Sequence, residues 1–592
     1  MNRPEGKASA WKCWLAAAGL LLPALGLYAA HYVHGWAAGE VPTGFIHYDM
    51  AGYMAAAREH FDAGRFALTY GNPYSPSPDT PRIYFQPMTL LLAAAWRLTG
   101  EDPGAVFVLF GLVAGLVAVR LAIAVFEDLV GLDSAAKKLA LVCFVWGGGL
   151  LAASGAVSGL CTGGPVGASL WRFDPNEGWW FLNLGRNLVY PTEALYHALA
   201  LGCLLALVRG RFVVAVVLLA VLSASHPFTG IQVIAIVLGW MVLEKLLAWR
   251  QAARLSLDQE SHRRAACGYE AGVPPWAVAA TLLLGAAHVG YYLVYLPSFE
   301  EHAALVEQWK LAAVLKPENM LPAYALVAGL VVWRCRRWAF CREVFLDPRN
   351  RLLGAWFVVS FLLANHEWFL PAHQPLHFTR GYLWMPLFLL GAPALVALLG
   401  AKSPPTASAG PEERGEQDGV AGGLARRNTR KNEEGPSVSR AGLLPVLLVA
   451  VLLADNAAWF AMHCARPTGM YLLKDERTLL TWIARDAPAD TLLLSDPPTL
   501  AYLATVYTPH RVWYSHWANT PHAEQRKDDL RRFLETGAVP EGWQGRGVLI
   551  ISSERGKLHA LFEPASERRP TLRPIYRAET LTVWYDGSLK GR

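Results

Sequence analysis

Long apolar segments separated by short polar stretches run through most of the chain. A hydrophobic run of about 20 residues is long enough to cross a bilayer as a helix. By this criterion the pattern predicts about eleven membrane-spanning helices. They are expected at residues 11–31, 103–126, 139–157, 187–208, 211–225, 227–248, 276–297, 319–335, 352–369, 381–400 and 441–463.

The apolar segment 86–99 ends in Arg97 and is barely long enough to span. Counting it as a span would put Lys137 and Lys138 outside and would reverse every later loop. We therefore interpret it as a re-entrant or interfacial helix. Lys and Arg then concentrate in alternate loops, as expected on the cytoplasmic side. The N-terminus is predicted inside and the C-terminus outside.

Two stretches depart from the membrane pattern. Residues 401–440 are rich in Pro, Gly, Ser and charge, which predicts a disordered cytoplasmic linker after the membrane region 1–400. Residues 464–592 are more charged and alternate predicted helices with short strands, notably a polar helix at 524–536 and a strand at 547–554. The expected fold is mostly α, a polytopic membrane helix bundle with a small C-terminal extracytoplasmic α/β domain.

Composition supports a membrane protein and narrows the chemistry. The 592 residues are 54% hydrophobic and 17% charged, and the net charge of +6 fits loop topology better than nucleic-acid binding. No Walker A or Gly-rich dinucleotide motif occurs, so a cytoplasmic nucleotide-sugar donor is not expected. The scattered cysteines form no CxxC pair, and no metal site or cofactor is predicted, although a divalent metal requirement stays open.

The predicted outer loop 32–102 carries an amphipathic helical pattern directly after Asp49. Met50, Met54 and Phe61 fall on one face and Arg58, Glu59 and Asp62 on the other, which predicts a helix lying in the membrane interface. Asp49 has two interpretations. It could cap the helix, which the residues alone favour, or it could present a carboxylate as a general base.

The loop resembles the first external loop of GT-C membrane glycosyltransferases, such as protein O-mannosyltransferases and lipid A aminoarabinose transferases. The matching positions are Asp49, Tyr53, Ala57, Gly64-Arg65-Phe66 and Tyr84-Phe85-Gln86-Pro87-Met88. Gln86 and the single Pro87 depart from the family pattern. The resemblance implies a polyprenyl-phosphate-sugar donor, a lipid, glycan or protein acceptor, and action at the outer face of a bacterial cytoplasmic membrane. It also implies that Asp49 is the catalytic base.

Several polar residues near predicted outer boundaries are candidates for substrate binding. Arg380 suits a lipid phosphate because its guanidinium binds oxyanions in a bidentate manner, and His377-Phe378-Thr379-Arg380 is similar to a late-loop element of the family. An interfacial, snorkelling arginine is the alternative. The other candidates, each of which could equally be an ordinary boundary residue, are His377, Tyr84, Glu193, His226 and Glu367. Trp179 and Trp180 could stack on a sugar ring or a prenyl chain, but the pattern favours membrane anchors.

Two other classes of function remain open. A lipid or sugar transporter or flippase would usually show related halves, and no internal repeat is seen. A non-catalytic scaffold or sensor would leave the long first loop and the outer His, Glu and Arg residues without a role.

Overall fold

The computed structural model describes residues 10–62, 64, 66–77, 79–256, 272–309, 313–336, 345–400, 440–488, 490–495, 497–553 and 571–587. The predicted linker 401–440 lies outside the described residues except for Arg440, so its disorder stays a prediction. The helices of the membrane region are α1 Ala10–Ala37, α2 Met50–Glu59, α3 Pro87–Thr99, α4 Pro103–Leu129, α5 Ala135–Trp146, α6 Leu151–Thr162, α7 Val166–Ser169, α8 Leu184–Asn187, α9 Pro191–Val208, α10 Phe212–Ser225, α11 Pro227–Ser256, α12 Pro275–Val289, α13 Glu300–Gln308, α14 Pro317–Cys335, α15 Pro348–Ala364, α16 Trp384–Gly400 and α17 Arg440–Ala465.

The chain is a multi-pass membrane protein. Within the described residues, six helical segments are long and apolar enough to cross a bilayer, and a seventh is added if one bent pair counts as a single span. The six are Trp11–Ala37, Pro103–Leu129, Pro191–Val208, Pro227–Arg250, Pro275–Ser298 and Pro445–Ala465. The spans predicted at 211–225, 319–335, 352–369 and 381–400 correspond to helices outside this set. The number of eleven therefore stays a prediction.

The span predicted as one helix at 139–157 is wrong in shape. It consists of α5 and α6, which meet at an angle of 67°. Three consecutive glycines, 147–149, allow the break. A Cβ on Gly148 would lie 2.5 Å from Asp455 Oδ2, and Gly149 has φ of +87°, a backbone conformation that favours glycine. Neighbouring helices supply acceptors for the backbone N–H groups at the break. Gly148 N–H donates to the Leu452 carbonyl, and Leu150 N–H donates to the Pro322 carbonyl.

The C-terminal region folds as the predicted small α/β domain. A two-residue strand of the first loop, β1 Val41–Pro42, pairs with β2 Tyr471–Leu472 at the start of this region. The other elements are α18 Lys474–Asp486, β3 Thr491–Ser495, α19 Pro498–Tyr507, β4 Arg511–Val512, α20 Ala523–Thr536, β5 Gly547–Ser553, β6 Leu572–Arg577 and β7 Leu581–Asp586. The sheet order is β4-β3-β5-β7-β6, with β3 parallel to both of its neighbours and β7 antiparallel to β5 and β6.

Alternating side chains of this sheet enter two different cores. Leu493 and Leu549 join the large core shared with the membrane region, while Leu492 and Val548 pack on the opposite face around Trp543. Successive residues of a strand point to opposite faces. One face of the domain is therefore buried against the rest of the protein.

Helix α2 lies between the bundle and this domain. Met50 and Met54 are buried as predicted, but Glu59 is buried too, in a two-point ion pair with Arg511 of β4. Arg58 donates to the Val506 carbonyl of α19 at 2.8 Å. The C-terminal domain therefore covers the polar face of α2, and the interfacial position of this helix stays a prediction.

Candidate active site

A cavity of about 490 Å³ opens where the first loop, the ends of several membrane helices and the C-terminal domain meet. Its wall is mainly aromatic and amide. The lining residues are His47, Asp49, Gly52, Tyr53, Ala56, Tyr70, Asn72, Pro73, Tyr74, Tyr84, Gln86, Asn176, Trp179, Trp180, Phe181, Tyr190, Tyr196, His226, Pro227, Phe228, Leu305, Trp309, Gln374, His377, Arg380, His516, Trp517, Ala518 and Asn519. Apart from the histidines, the charged side chains of this lining are Asp49 and Arg380.

Asp49 occupies the N-cap position of α2 but does not cap it. Its backbone is already helical, with φ of −70° and ψ of −12°, and its side chain makes no hydrogen bond to the first turn. An N-cap normally has extended dihedrals that turn the side chain back to the free N–H groups. The capping interpretation is therefore wrong. The carboxylate keeps 54% of its area exposed, toward the cavity.

Two histidines flank the Asp49 carboxylate from different parts of the chain. His516 Nε2 lies 3.3 Å from Oδ1, and His47 Nδ1 lies 3.7 Å from Oδ2. The Asp49 backbone N–H donates to His47 Nδ1 at 3.3 Å. A neutral His47 therefore carries its proton on Nε2 and has none to give to Asp49.

Electrostatics keep Asp49 ionised. The cavity walls around this carboxyl partly desolvate it, which acts to raise its pKa. The hydrogen bond from His516 and the nearby His47, His516 and Arg380 outweigh this effect, and the pKa falls below its ordinary value. Burial, only partly offset by Asp49, lowers the pKa of His47. At neutral pH the site thus holds a carboxylate beside a neutral imidazole.

Arg380 supplies a cation on the same cavity. Its Nη1 donates to the buried Glu193 carboxylate at the start of α9, and its backbone carbonyl lies 2.9 Å from His197 Nε2. The guanidinium lies 5.8 Å from the ring centre of Trp180. Its Nε has no hydrogen-bond partner among the described residues. Arg380 is thus fixed from behind and retains capacity to bind an anion.

Aromatic and histidine rings form the wall next to Arg380. His377 stacks on Phe228 at 4.4 Å between ring centres and meets Trp180 edge to face at 5.1 Å. His226 lies 4.6 Å from Tyr196. Burial lowers the pKa of His377 to about 4, so this wall is uncharged at neutral pH apart from Arg380. Such rings suit a sugar face or a prenyl chain.

Tyr84 reaches the cavity from the first loop. Its hydroxyl lies 3.1 Å from His302 Nδ1, and its backbone pairs with Tyr70. The structure thus brings five of the predicted site residues onto one cavity. They are Asp49, Tyr84, His226, His377 and Arg380. Their roles in binding and catalysis stay predictions.

The two predicted acids Glu193 and Glu367 do not line the cavity. Glu193 is fully buried behind Arg380, so its contact with substrate would be indirect. His197, one helical turn after Glu193, contacts the backbone carbonyls of Glu193 and Arg380 rather than the Glu193 carboxylate. Glu367 lies in a short helical turn, His366–Trp368, beyond the cavity wall.

Trp179 and Trp180 are not membrane anchors, since both line the cavity. Trp179 packs against His47, Trp459 and His463. Tryptophans near a span boundary are typical of membrane anchors, so the sequence favours that interpretation. The same pair of residues fits the wall of a cavity equally well. Their packing against buried rings decides between the two.

Arg186 is excluded as a phosphate ligand. Its buried guanidinium is bound to Asp174, to Asp455 at 2.9 Å and to Asn456 at 2.7 Å. Asp455 also accepts from the backbone of Ala152 in α6. This cluster joins the broken helix pair to α17 and is structural.

Sequence reasoning missed the contribution of the C-terminal domain, above all His516. Its segment, 510-HRVWYSHWANTPH-522, has a high density of aromatic and histidine residues in an otherwise polar domain. That density was the available signal. Among the described residues, no group of three or more His, Cys, Asp or Glu side chains is arranged to hold a metal ion.

Comparison with solved structures identifies the architecture, although no protein-family profile and no curated protein matches the chain. The arabinofuranosyltransferase AftD from Mycobacteria matches at 13% identity with a TM-score of 0.52, over 99% of this chain and 40% of its own. The Archaeoglobus fulgidus oligosaccharyltransferase matches at 12% identity and a TM-score of 0.46, over 97% of this chain and 74% of its own. ArnT from Cupriavidus metallidurans matches at 13% identity with a TM-score of 0.45, over 98% of this chain and 100% of its own. The AftD match, with a TM-score above 0.5, shows that the chain has the fold of GT-C membrane glycosyltransferases.

Proposed function

We propose that this protein is a membrane glycosyltransferase that moves a sugar from a polyprenyl-phosphate donor to an acceptor hydroxyl at the outer face of a bacterial cytoplasmic membrane. The observation that carries the proposal is the Asp49 carboxylate. It is ionised, makes no cap, and faces a cavity that it shares with Arg380. The GT-C fold, seen in the arabinofuranosyltransferase AftD, supports the same general activity.

The geometry supports an inverting displacement. The acceptor oxygen forms a bond to the anomeric carbon while the bond from that carbon to the phosphate oxygen breaks. The acceptor proton goes to Asp49, and the polyprenyl phosphate leaves with the bonding electron pair. A positioned general base contributes about 10²–10⁴-fold. We expect the lower part of that range, because a carboxyl with a depressed pKa is a weak base.

In this proposal Arg380 binds the leaving phosphate. Its charge lies close enough to Asp49 to contribute to the lowered pKa of that carboxyl. A guanidinium binds phosphate oxygens through two parallel N–H groups. The aromatic wall of Trp180, His377 and Phe228 adjoins it and suits the apolar part of the donor.

The test is transfer of labelled sugar from a panel of polyprenyl-phosphate sugars in purified membranes. Asp49→Asn keeps the side-chain shape but removes the base, and Asp79→Asn, an exposed acid of the same loop, is the matched control. We expect Asp49→Asn to lower transfer about 100-fold or more at normal membrane levels, with the control unchanged. Full transfer by the Asp49→Asn variant would show that another residue is the general base. A wild type inactive with every donor would favour a transporter or a scaffold.

A further inference from the structure

We infer that His516 of the C-terminal domain is a positioning residue for Asp49, which makes that domain a working part of the active site. The inference rests on the proposed function. The two residues are 467 positions apart in sequence, and His516 Nε2 lies 3.3 Å from Asp49 Oδ1. The His516 side chain is 3% exposed.

The tautomer of His516 follows from its other nitrogen. The backbone N–H groups of Ala518 and Asn519 both donate to Nδ1, each at 3.1 Å. Nδ1 is therefore an acceptor, and a neutral imidazole carries its proton on Nε2. His516 must then donate to the carboxylate. The Asn519 side-chain nitrogen 3.4 Å from Nε2 is no competitor, since Trp309 Nε1 donates to Asn519 Oδ1 and fixes the orientation of that amide.

The loop that carries His516 is held firmly in place. The imidazole packs among the rings of Tyr48, Tyr74 and Tyr502, with centres 5.0–5.4 Å away. Helix α13 and the residue after it clamp the loop from the other side. Trp309 Nε1 donates to the Ala518 carbonyl at 2.9 Å, and Gln308 Nε2 donates to the Thr520 carbonyl at 3.1 Å.

The two carboxylate oxygens of Asp49 have different surroundings. Oδ1 is engaged by His516. Oδ2 faces His47 Nδ1 at 3.7 Å, and that nitrogen already accepts from the Asp49 backbone. We therefore assign Oδ2 as the oxygen that receives the acceptor proton. Without His516 the carboxylate would be free to rotate about its side-chain torsions, and misplacement of a reacting group by about 1 Å can cost on the order of 10²-fold.

Two substitutions separate the two bonds of His516. In His516→Asn, the side-chain oxygen replaces Nδ1 as acceptor for the loop N–H groups, and the donor to Asp49 is lost. In His516→Gln, the amide nitrogen replaces Nε2 as donor, and the loop acceptor is lost. His522→Asn, at an exposed position of the same segment with φ of +53°, is the control, because asparagine tolerates that conformation.

We expect His516→Asn to unfold at the wild-type temperature but to lose about 10- to 100-fold in kcat with little change in KM. The groups that face the Asp49 carboxylate are His47, His516 and Arg380. Because the hydrogen bond from His516 lowers the pKa of Asp49, its loss should shift the acid limb of the pH profile of the His516→Asn variant to higher pH. We expect the kcat of His516→Gln to stay within several-fold of the wild-type value, and the kcat of His522→Asn to equal the wild-type value.

Wild-type kinetics in His516→Asn, or an equal loss in both variants with unchanged pH profiles, would overturn the inference and leave His516 a loop-stabilising residue. If His516→Asn does not fold, His516→Gln decides: retained transfer supports the inference, and lost transfer in a folded variant contradicts it. Failure of the proposed function is distinguishable, since it would show as absent transfer in the wild type or as full activity in Asp49→Asn.

Discussion

The Arg380 guanidinium donates to the carboxylate of Glu193, a residue 187 positions earlier in the chain that does not reach the cavity. Arg380 belongs to the loop before α16 and Glu193 to the first turn of α9. The guanidinium that we propose binds the leaving phosphate is therefore oriented by a buried acid on α9. A buried arginine without such a partner would be costly.

From this relationship we predict that Glu193→Gln raises KM for the donor about 10-fold with a smaller fall in kcat, because Arg380 loses its counter-charge but keeps a hydrogen-bond acceptor. Initial rates over a range of donor concentrations measure the split. Glu367→Gln, outside the cavity, is the matched control and is expected to behave as wild type. If both variants had wild-type KM, Glu193 would not position Arg380.

The pH dependence of transfer follows from the charge states at Asp49. The pKa of Asp49 lies below its ordinary value, so the carboxylate stays ionised as the pH falls from 7 to about 5. Burial lowers the pKa of His47 below its ordinary value, and burial lowers the pKa of His377 to about 4, so His377 stays neutral over this range. We therefore predict a kcat that changes less than about threefold between pH 5.5 and 7.5. A profile that falls with an apparent pKa near 6.5 would indicate a histidine base instead.

The ion pair between Glu59 and Arg511 holds the C-terminal domain on α2. Both side chains are nearly buried, and the guanidinium meets both carboxylate oxygens at 2.8 and 3.0 Å. Removing one partner of a buried pair leaves the other charge uncompensated, so we predict that Glu59→Gln destabilises the domain by on the order of 2–3 kcal/mol. Thermal unfolding and protease accessibility of the detergent-solubilised protein would measure this. Glu524→Gln, an exposed acid of the same domain paired loosely with Lys527, should have no measurable effect.

Much of the fold could be predicted from sequence because its signals are local. Long apolar runs indicated the helices, and short continuous apolar runs such as Thr491–Ser495 and Gly547–Ser553 indicated strands of the α/β domain. Asp49 was identifiable because it precedes the amphipathic pattern of the first loop, and His226, His377 and Arg380 because each lies near a predicted span boundary. Boundaries on one face of the membrane lie at similar depth, so their side chains converge.

The remaining features depend on tertiary packing. The contact of His516 with Asp49 exists only because the C-terminal domain docks on α2, and no local pattern records that docking. The burial of Glu59 follows from the same contact. The break at Gly147–Gly149 depends on carbonyls of Leu452 and Pro322, which are far away in sequence. Trp179 and Trp180 show that an aromatic pair near a predicted span fits two environments, a membrane interface and a cavity wall.

The most direct test of the account is the single-turnover rate of sugar transfer by purified protein in lipid nanodiscs, with enzyme in excess over the donor that the panel identifies. This rate isolates the chemical step from product release. For Asp49→Asn we predict a rate at least about 100-fold below wild type with unchanged donor binding, and a wild-type rate for Asp79→Asn. A single-turnover rate for Asp49→Asn within a few-fold of wild type would contradict the assignment of Asp49 as the catalytic base.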